Sequence, residues 1–313
     1  MPAAFRCLIT VTAVSARLEG PEEAVTLAAD ALTVVNPAAA RSPAGKAGHW
    51  DGVVRFLRRP RNTFGAGLTK RVSDVLTAGG FDVEWVQAPI PIFQPLGPPL
   101  RIEWRDYQTA AVDRFFLKRR LILQAPTGSG KTNIGIEVAR RRGGRVLWIV
   151  HTQQLQRQTL KELHEKLPMV GVGTVGDGHY DFSGPITLGI INSLASLAAT
   201  SPELFAEFDL LIEDEAHHSG AETWVRVANA CTGACLRLGL SGTAISVRDP
   251  VRVMRMEAAL GPIVVLVDAP TLIKQGHLAR PIIRFLRPPA ASYPSYERVR
   301  DLVLPDWRRD PRR

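Results

Sequence analysis

The run Gln124-Ala-Pro-Thr-Gly-Ser-Gly-Lys-Thr132, placed directly after the apolar Leu121-Ile-Leu123, constrains this chain more than any other feature. The aliphatic triplet reads as a buried strand. Gly128 and Gly130 let the following loop turn without side chains, so backbone N–H groups can close around an anion, and a helix starting near Lys131 adds the positive end of its dipole. A strand, a phosphate-sized loop and a helix in that order predict an α/β architecture: a P-loop lobe with a mostly parallel sheet and helices on both faces. In such loops the lysine, here Lys131, reaches the β and γ phosphates and the hydroxyl of Thr132 sits on Mg2+, while Pro126, Thr127, Gly128, Ser129 and Gly130 line the cradle. The general pattern G-x-x-x-x-G-K-[ST] has glycine where this chain has Ala125.

A second apolar strand, Phe208-Asp-Leu-Leu-Ile212, leads into Glu213-Asp-Glu-Ala-His-His218. Carboxylates leaving the C-terminal edge of a parallel sheet lie where such folds bind ligands. Asp214 suits binding Mg2+, partly through water, and Glu215 suits positioning or deprotonating an attacking water. In isolation the tetrapeptide Asp-Glu-Ala-His fits a solvated acidic turn equally well. Behind a phosphate loop it reads as the other half of a site for ATP and Mg2+, with Lys131, Asp214 and Glu215 carrying the chemistry.

At 313 residues and 45% hydrophobic content the chain has room for about two domains with real cores. The net charge of +9 suits a polyanionic partner, although positive surfaces also serve solubility. Cys7, Cys231 and Cys235 are odd in number, and the C-x3-C pair has no matching pair, which excludes a disulfide framework and a zinc site. No apolar stretch approaches the roughly 18 residues of a membrane span. Arg6 followed by Cys7–Ala16 faintly resembles a signal peptide, but its Thr/Val alternation suits an edge strand better. The expectation is a cytoplasmic protein with no membrane partner.

Along the chain, a strand over Leu8–Val14, a helix opening at Gly20-Pro-Glu-Glu-Ala, a stretch of small residues from Asn36 to Gly48, a strand over Val53–Leu57, a helix over Leu68–Ala78 and a strand over Phe81–Val86 predict a small α+β domain in residues 1–87. Residues 88–100 are proline-rich and read as a linker. From 101 to 287 helices and strands alternate, with further strands at Val146–Val150, Ile186–Ile191, Leu210–Asp214, Leu236–Leu240 and Ile263–Val267. Residues 288–313 read as a basic tail or the start of a second lobe. Between Arg41 and Arg71 eight basic residues stand against Asp51, with Asp74 just beyond the run; Arg58, Arg59 and Arg61 in that run are candidates for sequence-blind phosphate contacts, with a solvated hairpin tip as the alternative. Trp50, beside an Asp-Gly turn, reads as core.

Taken in order, further segments resemble the superfamily 2 helicases. Arg105-Asp-Tyr-Gln108 resembles their adenine-sensing segment, Val150-His-Thr-Gln-Gln-Leu-Gln-Arg-Gln158 and Thr187-Leu-Gly-Ile-Ile-Asn-Ser-Leu194 their strand-contacting segments, and Leu240-Ser-Gly-Thr-Ala244 their Ser-x-Thr coupling element. Gly261-Pro and Leu272-Ile-Lys-Gln-Gly-His-Leu-Ala-Arg-Pro281 are similar to the DEAH-type branch containing XPB-like and UvsW-like DNA helicases, and His49-Trp-Asp-Gly52 with Gly65-Ala-Gly-Leu68 resembles the small N-terminal DNA-binding domain of the UvsW-like group. The resemblance implies a RecA-like lobe, adenine contacts from Arg105 and Gln108, DNA contacts from Thr152, Gln153 and Asn192, and coupling through His217, Ser241 and Thr243. Thr152 and Asn192 also fit ordinary helix N-terminal positions, and Ser241 and Thr243 also fit a turn cap. His217 and His218 lack further suitably spaced zinc ligands.

Helicases of this superfamily place ATP between two RecA-like lobes, and the second supplies an arginine. No second-lobe motif follows Leu286, so the resemblance implies the N-terminal half of a DNA helicase that binds ATP but hydrolyses it poorly unless a second polypeptide carries the other lobe. A nucleotide-sensing DNA-binding module and the motor part of a restriction enzyme are the other readings.

Overall fold

The protein is described by a computed structural model covering residues 6–37, 39, 47, 50–242 and 249–280. Residues up to Leu278 belong to one compact unit that contains two principal sheets.

The larger sheet has eight strands: β7 (Arg120–Gln124), β8 (Val146–Val150), β9 (Val172–Gly176), β10 (His179–Tyr180), β11 (Ile186–Ile190), β12 (Leu210–Asp214), β13 (Leu236–Ser241) and β14 (Ile263–Val265). Their order is β10-β9-β11-β8-β12-β13-β7-β14, and every pairing is parallel except β10 with β9. The central strands are apolar on both faces because both are covered. Val146, Trp148 and Val150 of β8 point to one core, shared with α3 (Asp106–Lys118), α4 (Lys131–Arg142) and α5 (Gln153–Lys166). Leu147 and Ile149 point to the other, shared with α6 (Ile191–Thr200), α7 (Glu222–Ala230) and α8 (Pro250–Leu260). The period-two alternation therefore divides one apolar run between two cores. The expected lobe of mostly parallel strands with helices on both faces is what the chain forms.

The front of the chain builds a four-stranded sheet, β5-β2-β1-β6, from β1 (Arg6–Val11), β2 (Ser15–Glu19), β5 (Thr63–Gly65) and β6 (Asp82–Gln87), covered by α1 (Glu22–Ala31) and α2 (Thr69–Ala78). The single strand expected over Leu8–Val14 is instead broken at Thr12. Its backbone N–H donates to the Ser15 carbonyl at 2.8 Å and its hydroxyl accepts from Ser15 N at 3.0 Å, so the chain reverses and returns as β2. The strand expected over Val53–Leu57 ends at Arg55: β4 (Val53–Arg55) pairs only with β3 (Thr33–Val35), while Leu57 turns into the module core and Arg58 pairs with Thr63 across a turn. The last strand of the lobe stops at Val265 rather than Val267. Most of the Asn36–Gly48 stretch, Thr243, and everything from Pro281 onward lie outside the described residues.

The module packs closely on the lobe. Met254 of α8 is part of its core. A β-carbon on Gly67 would meet the Glu257 carbonyl, and one on Gly65 would lie 2.6 Å from Ala258 Cβ, so the two backbones approach as only glycine allows. Arg71 pairs with Glu257 at 2.7 Å, and the buried Arg120 donates to the carbonyls of Ala13 and Thr12 at 2.5 and 3.3 Å. Residues 88–100 contain no helix or strand, but they are tied down: Leu96 N donates to Arg140 O at 2.8 Å, Arg140 donates to Gly97 O at 3.1 Å, and the Arg142 guanidinium lies 4.6 Å over the Phe93 ring.

Candidate nucleotide site

The register of three adjacent strands sets the site. Leu123, Leu240 and Asp214 are level across β7, β13 and β12, so the end of the phosphate-loop strand and the first carboxylate are two strand spacings, about 10 Å, apart. Both strands deliver their loops to the same C-terminal edge.

The loop itself takes the shape its glycines permit. Gly128 and Gly130 have φ of +82° and +80°, and α4 begins at Lys131. Gly130 is also hemmed in by the Gln108 amide, which a β-carbon would strike. Gln108 is buried; its Nε2 donates to Ser129 O at 2.8 Å and its Oε1 accepts from Arg105 N at 3.1 Å. The Tyr107 hydroxyl donates to the same Ser129 carbonyl at 2.6 Å, and Arg105 donates to the Tyr107 oxygen at 2.9 Å. The segment Arg105–Gln108 thus braces the loop from behind. Tyr107, inside the Arg105–Gln108 segment, is a further support of the loop that the sequence does not single out.

Lys131 donates from Nζ to the carbonyls of Ala125 and Pro126, each at 3.0 Å. Burial holds its pKa below the ordinary lysine value, and the carboxylates of Glu215 and Asp214 oppose that shift. Asp214 accepts from the Glu215 N–H at 3.0 Å; burial pushes its pKa up to about 6. Glu215 adopts a left-handed backbone, φ 55° and ψ 47°, which costs a non-glycine residue about 1–2 kcal/mol and aims its carboxylate off the strand end. His217 Nδ1 lies 3.2 Å from Glu215 Oε2, without the direction of a good hydrogen bond. Burial lowers the pKa of His217, with Glu215 opposing. The His217 and His218 rings are 4.1 Å apart, and His218 is 5.1 Å from His151.

Ser241 is buried at the end of β13, and its carbonyl accepts from Ala125 N at 3.0 Å. The next residue, Gly242, backs onto Lys131, and Leu278 lies against Gly128, where a β-carbon would sit 2.8 Å from Leu278 Cδ2. No periodicity or composition signal marks Gly242 or Leu278.

Thr152 and Asn192 are exposed at the same sheet edge, beyond β8 and β11. Thr152 caps α5 by accepting from Leu155 N at 3.2 Å, and exposed Gln153 accepts from Arg157 at 3.3 Å. Asn192 shares a groove with Tyr180, Thr223 and Arg226. Arg58, Arg59 and Arg61 are all in the front module: Arg59 is paired with Glu22 at 2.5 Å, while Arg58 and Arg61 have no side-chain partner among the described residues.

These residues fit a magnesium-bound triphosphate. The cradle turns at two left-handed glycines, the buried Ser129 Oγ and Glu215 Oε2 have no hydrogen-bond partner, and Thr132 and Asp214 are hard oxygen donors of the kind Mg2+ takes alongside phosphate. Among the described residues no cluster of three or more His, Cys, Asp or Glu is placed to hold a metal by itself, and no helix is long and apolar enough to cross a membrane.

Residues 101–246 match the family described as the type III restriction enzyme, res subunit. The chain is 26% identical over 280 residues to the ATP-dependent DNA helicase uvsW of Enterobacteria phage T4, covering 79% of this chain and 54% of that protein. It is 33% identical over 164 residues to the DNA 3'-5' translocase XPB2 of Sulfurisphaera tokodaii, covering 52% and 36%. A crystal structure of the UvsW helicase from bacteriophage T4 shares the fold, with a TM-score of 0.68 at 20% identity over 83% of this chain and 99% of that one. The chain spans about half the length of the first of these curated relatives and about a third of the second. The glycine loop, the adjacent carboxylates and these matches make residues 101–246 a res-type helicase domain, homologous to the UvsW and XPB helicases of superfamily 2.

Proposed function

We propose that this chain is the ATP-binding lobe and DNA-binding front module of an ATP-dependent DNA helicase or translocase. The observation that carries the reading is the convergence of Lys131, Asp214 and Glu215 at one sheet edge around an open glycine loop. Bound ATP with Mg2+ supplies the phosphoryl group whose release drives movement. Lys131 and the loop N–H groups would hold its phosphates, Thr132 and Asp214 its Mg2+, and Arg105 with Gln108 its base. Glu215 orients and deprotonates water, and the left-handed turn keeps its carboxylate clear of the strand. His217 and Ser241 link this site to the rest of the lobe; Thr243, in the same motif, takes the same role. Thr152, Gln153 and Asn192, at the same edge, hold the DNA backbone. Residues 1–87 act as the DNA-binding module, with Arg58, Arg59 and Arg61 contributing charge.

The helicase reading is favoured over a restriction-enzyme motor because the fold shared with UvsW extends beyond the lobe and takes in the front module. A second RecA-like lobe, on another polypeptide or further along the same protein, completes catalysis by supplying an arginine to the γ phosphate, an interaction worth on the order of 10³–10⁵ in rate. The test is DNA-stimulated ATP hydrolysis by this chain with and without a UvsW-type second lobe added in trans. Slow hydrolysis alone, stimulation by lobe and DNA together, and loss of that stimulation in Glu215→Gln are expected. Rapid DNA-dependent turnover by the chain alone contradicts the need for the second lobe.

A further inference from the structure

Between the front module and the lobe lies a cleft of about 700 Å³. One wall is the β4 region and the basic turn, with Arg55, Phe56, Arg58 and Thr63; the other is α7 and α8, with Glu222, Val225, Asn229 and Arg255. Its charges do not cancel. Arg55 is neutralised by Asp51 at 2.8 Å and Glu222 by Arg226 at 3.5 Å. Arg58 and Arg255 are exposed, face the cleft from opposite walls, and have no ion pair or side-chain hydrogen bond among the described residues. Arg252, one turn before Arg255 on α8, carries a further exposed positive charge in the adjoining recess, next to the helix-capping carboxylate of Asp249.

The width of this cleft is fixed. Gly65 and Gly67 against α8, the Arg71–Glu257 pair and buried Arg120 hold the two walls together, so the backbone segments that carry the two arginines keep a set separation. Two uncompensated guanidinium groups, the exposed amide of Asn229 and the half-buried ring of Phe56 combine positive charge, hydrogen-bond donors and apolar surface, as grooves that track a single nucleic-acid strand do. The volume of about 700 Å³ lies within the range of ligand-sized clefts, roughly 300–1,000 Å³. We infer that this cleft between the front module and α7–α8 grips the phosphodiester backbone of one DNA strand, with Arg58 and Arg255 as its two anchors. The inference rests on the proposed DNA-binding function and adds the path: the lobe itself, through Arg255 and Asn229, forms half of the module's binding surface.

The experiment is fluorescence anisotropy of a labelled single-stranded oligonucleotide titrated with the full chain at several salt concentrations. Arg58→Ala and Arg255→Ala are each expected to weaken binding about three- to tenfold and to reduce the slope of log K against log salt by about 0.7. Asn229→Glu, which adds a negative charge to the lobe wall, should weaken binding similarly, while Lys161→Ala, an equal loss of charge on α5, should not. All these positions are exposed, so unchanged thermal midpoints are expected to accompany the result. If the parent chain binds the strand and Arg58→Ala/Arg255→Ala binds it with the same affinity and salt slope, the cleft is overturned and the DNA-binding function stands. If the parent chain binds no DNA, both fall.

Discussion

Gly242 packs directly against Lys131: a β-carbon built on the glycine would lie 3.1 Å from the lysine Nζ and 3.2 Å from Thr127 Oγ1. The segment that ends β13 and the glycine loop therefore touch through Lys131, the lysine proposed to hold phosphate. Gly242→Ala is expected to displace the ammonium by a few tenths of an ångström and to lower MgATP affinity about tenfold, which is about 1.4 kcal/mol. Calorimetric titration checks this. An unchanged affinity would mean that the flexible lysine yields without loss.

Gly67 has no such freedom, because its neighbours are the backbone atoms of Glu257 and Gly261. Gly67→Ala is expected to force the front module off α8, destabilising the chain by about 3 kcal/mol. Faster limited proteolysis within residues 88–100, which are otherwise pinned to Arg140 and Arg142, is the readout. Resistance equal to the parent's would show that the docking is looser than these contacts indicate.

Glu213 is buried beneath the site with neither carboxylate oxygen hydrogen-bonded, and burial pushes its pKa up to about 7. The folded state therefore holds this proton at pH values where the unfolded chain, with an ordinary glutamate near 4.5, has lost it. The sign follows: the group costs the fold nothing below the unfolded value, and stability falls as pH rises from about 4.5 to 7, by about 3 kcal/mol for a shift of this size. Glu213→Gln should remove that decline, visible as thermal midpoints that diverge from the parent's between pH 5 and 8. Parallel curves would mean that Glu213 ionises freely in the fold.

The parts of this structure that were legible in the sequence are those where one local rule governs. β7, β8 and β12 are short, continuous apolar runs with covered faces, and the loop at Gly128 and Gly130 is set by backbone freedom. β9 and β10 are not legible, because Gly171–Gly178 is glycine-rich, β9 gains its order from pairing with β11, and the two-residue β10 gains its order from pairing with β9. β2 was hidden because Ser15–Glu19 alternates with charged residues beside a turn that only the Thr12 hydroxyl reveals. Buried Glu213, Arg120 and Arg237 break the rule that charge lies outside, and no spacing announces them; Arg237 is held by the carbonyls of Cys231, Ala234 and Ala259. At the site, Asp214 and Glu215 followed from the motif, whereas the support from Tyr107 and Gly242 is tertiary and appears only once β7 and β13 are side by side.

Glu215→Gln separates binding from chemistry. The amide keeps the shape but neither accepts a proton from water nor carries charge beside Lys131, so hydrolysis in the presence of DNA and the second lobe should fall on the order of 10²–10⁴-fold. MgATP affinity should stay within about threefold of the parent's. A comparable loss in both quantities would assign Glu215 to nucleotide binding instead.

The proposed function rests on a Mg2+-dependent ATP site formed by Gln124–Thr132 and Asp214. Calorimetric titration of ATP into the parent chain and into Lys131→Ala, each with Mg2+ and with EDTA, tests it most directly. Saturable binding at one site is expected in the parent, weakened at least tenfold by EDTA and again by Lys131→Ala. Binding that is indifferent to both, or no binding by the parent in Mg2+, would contradict it.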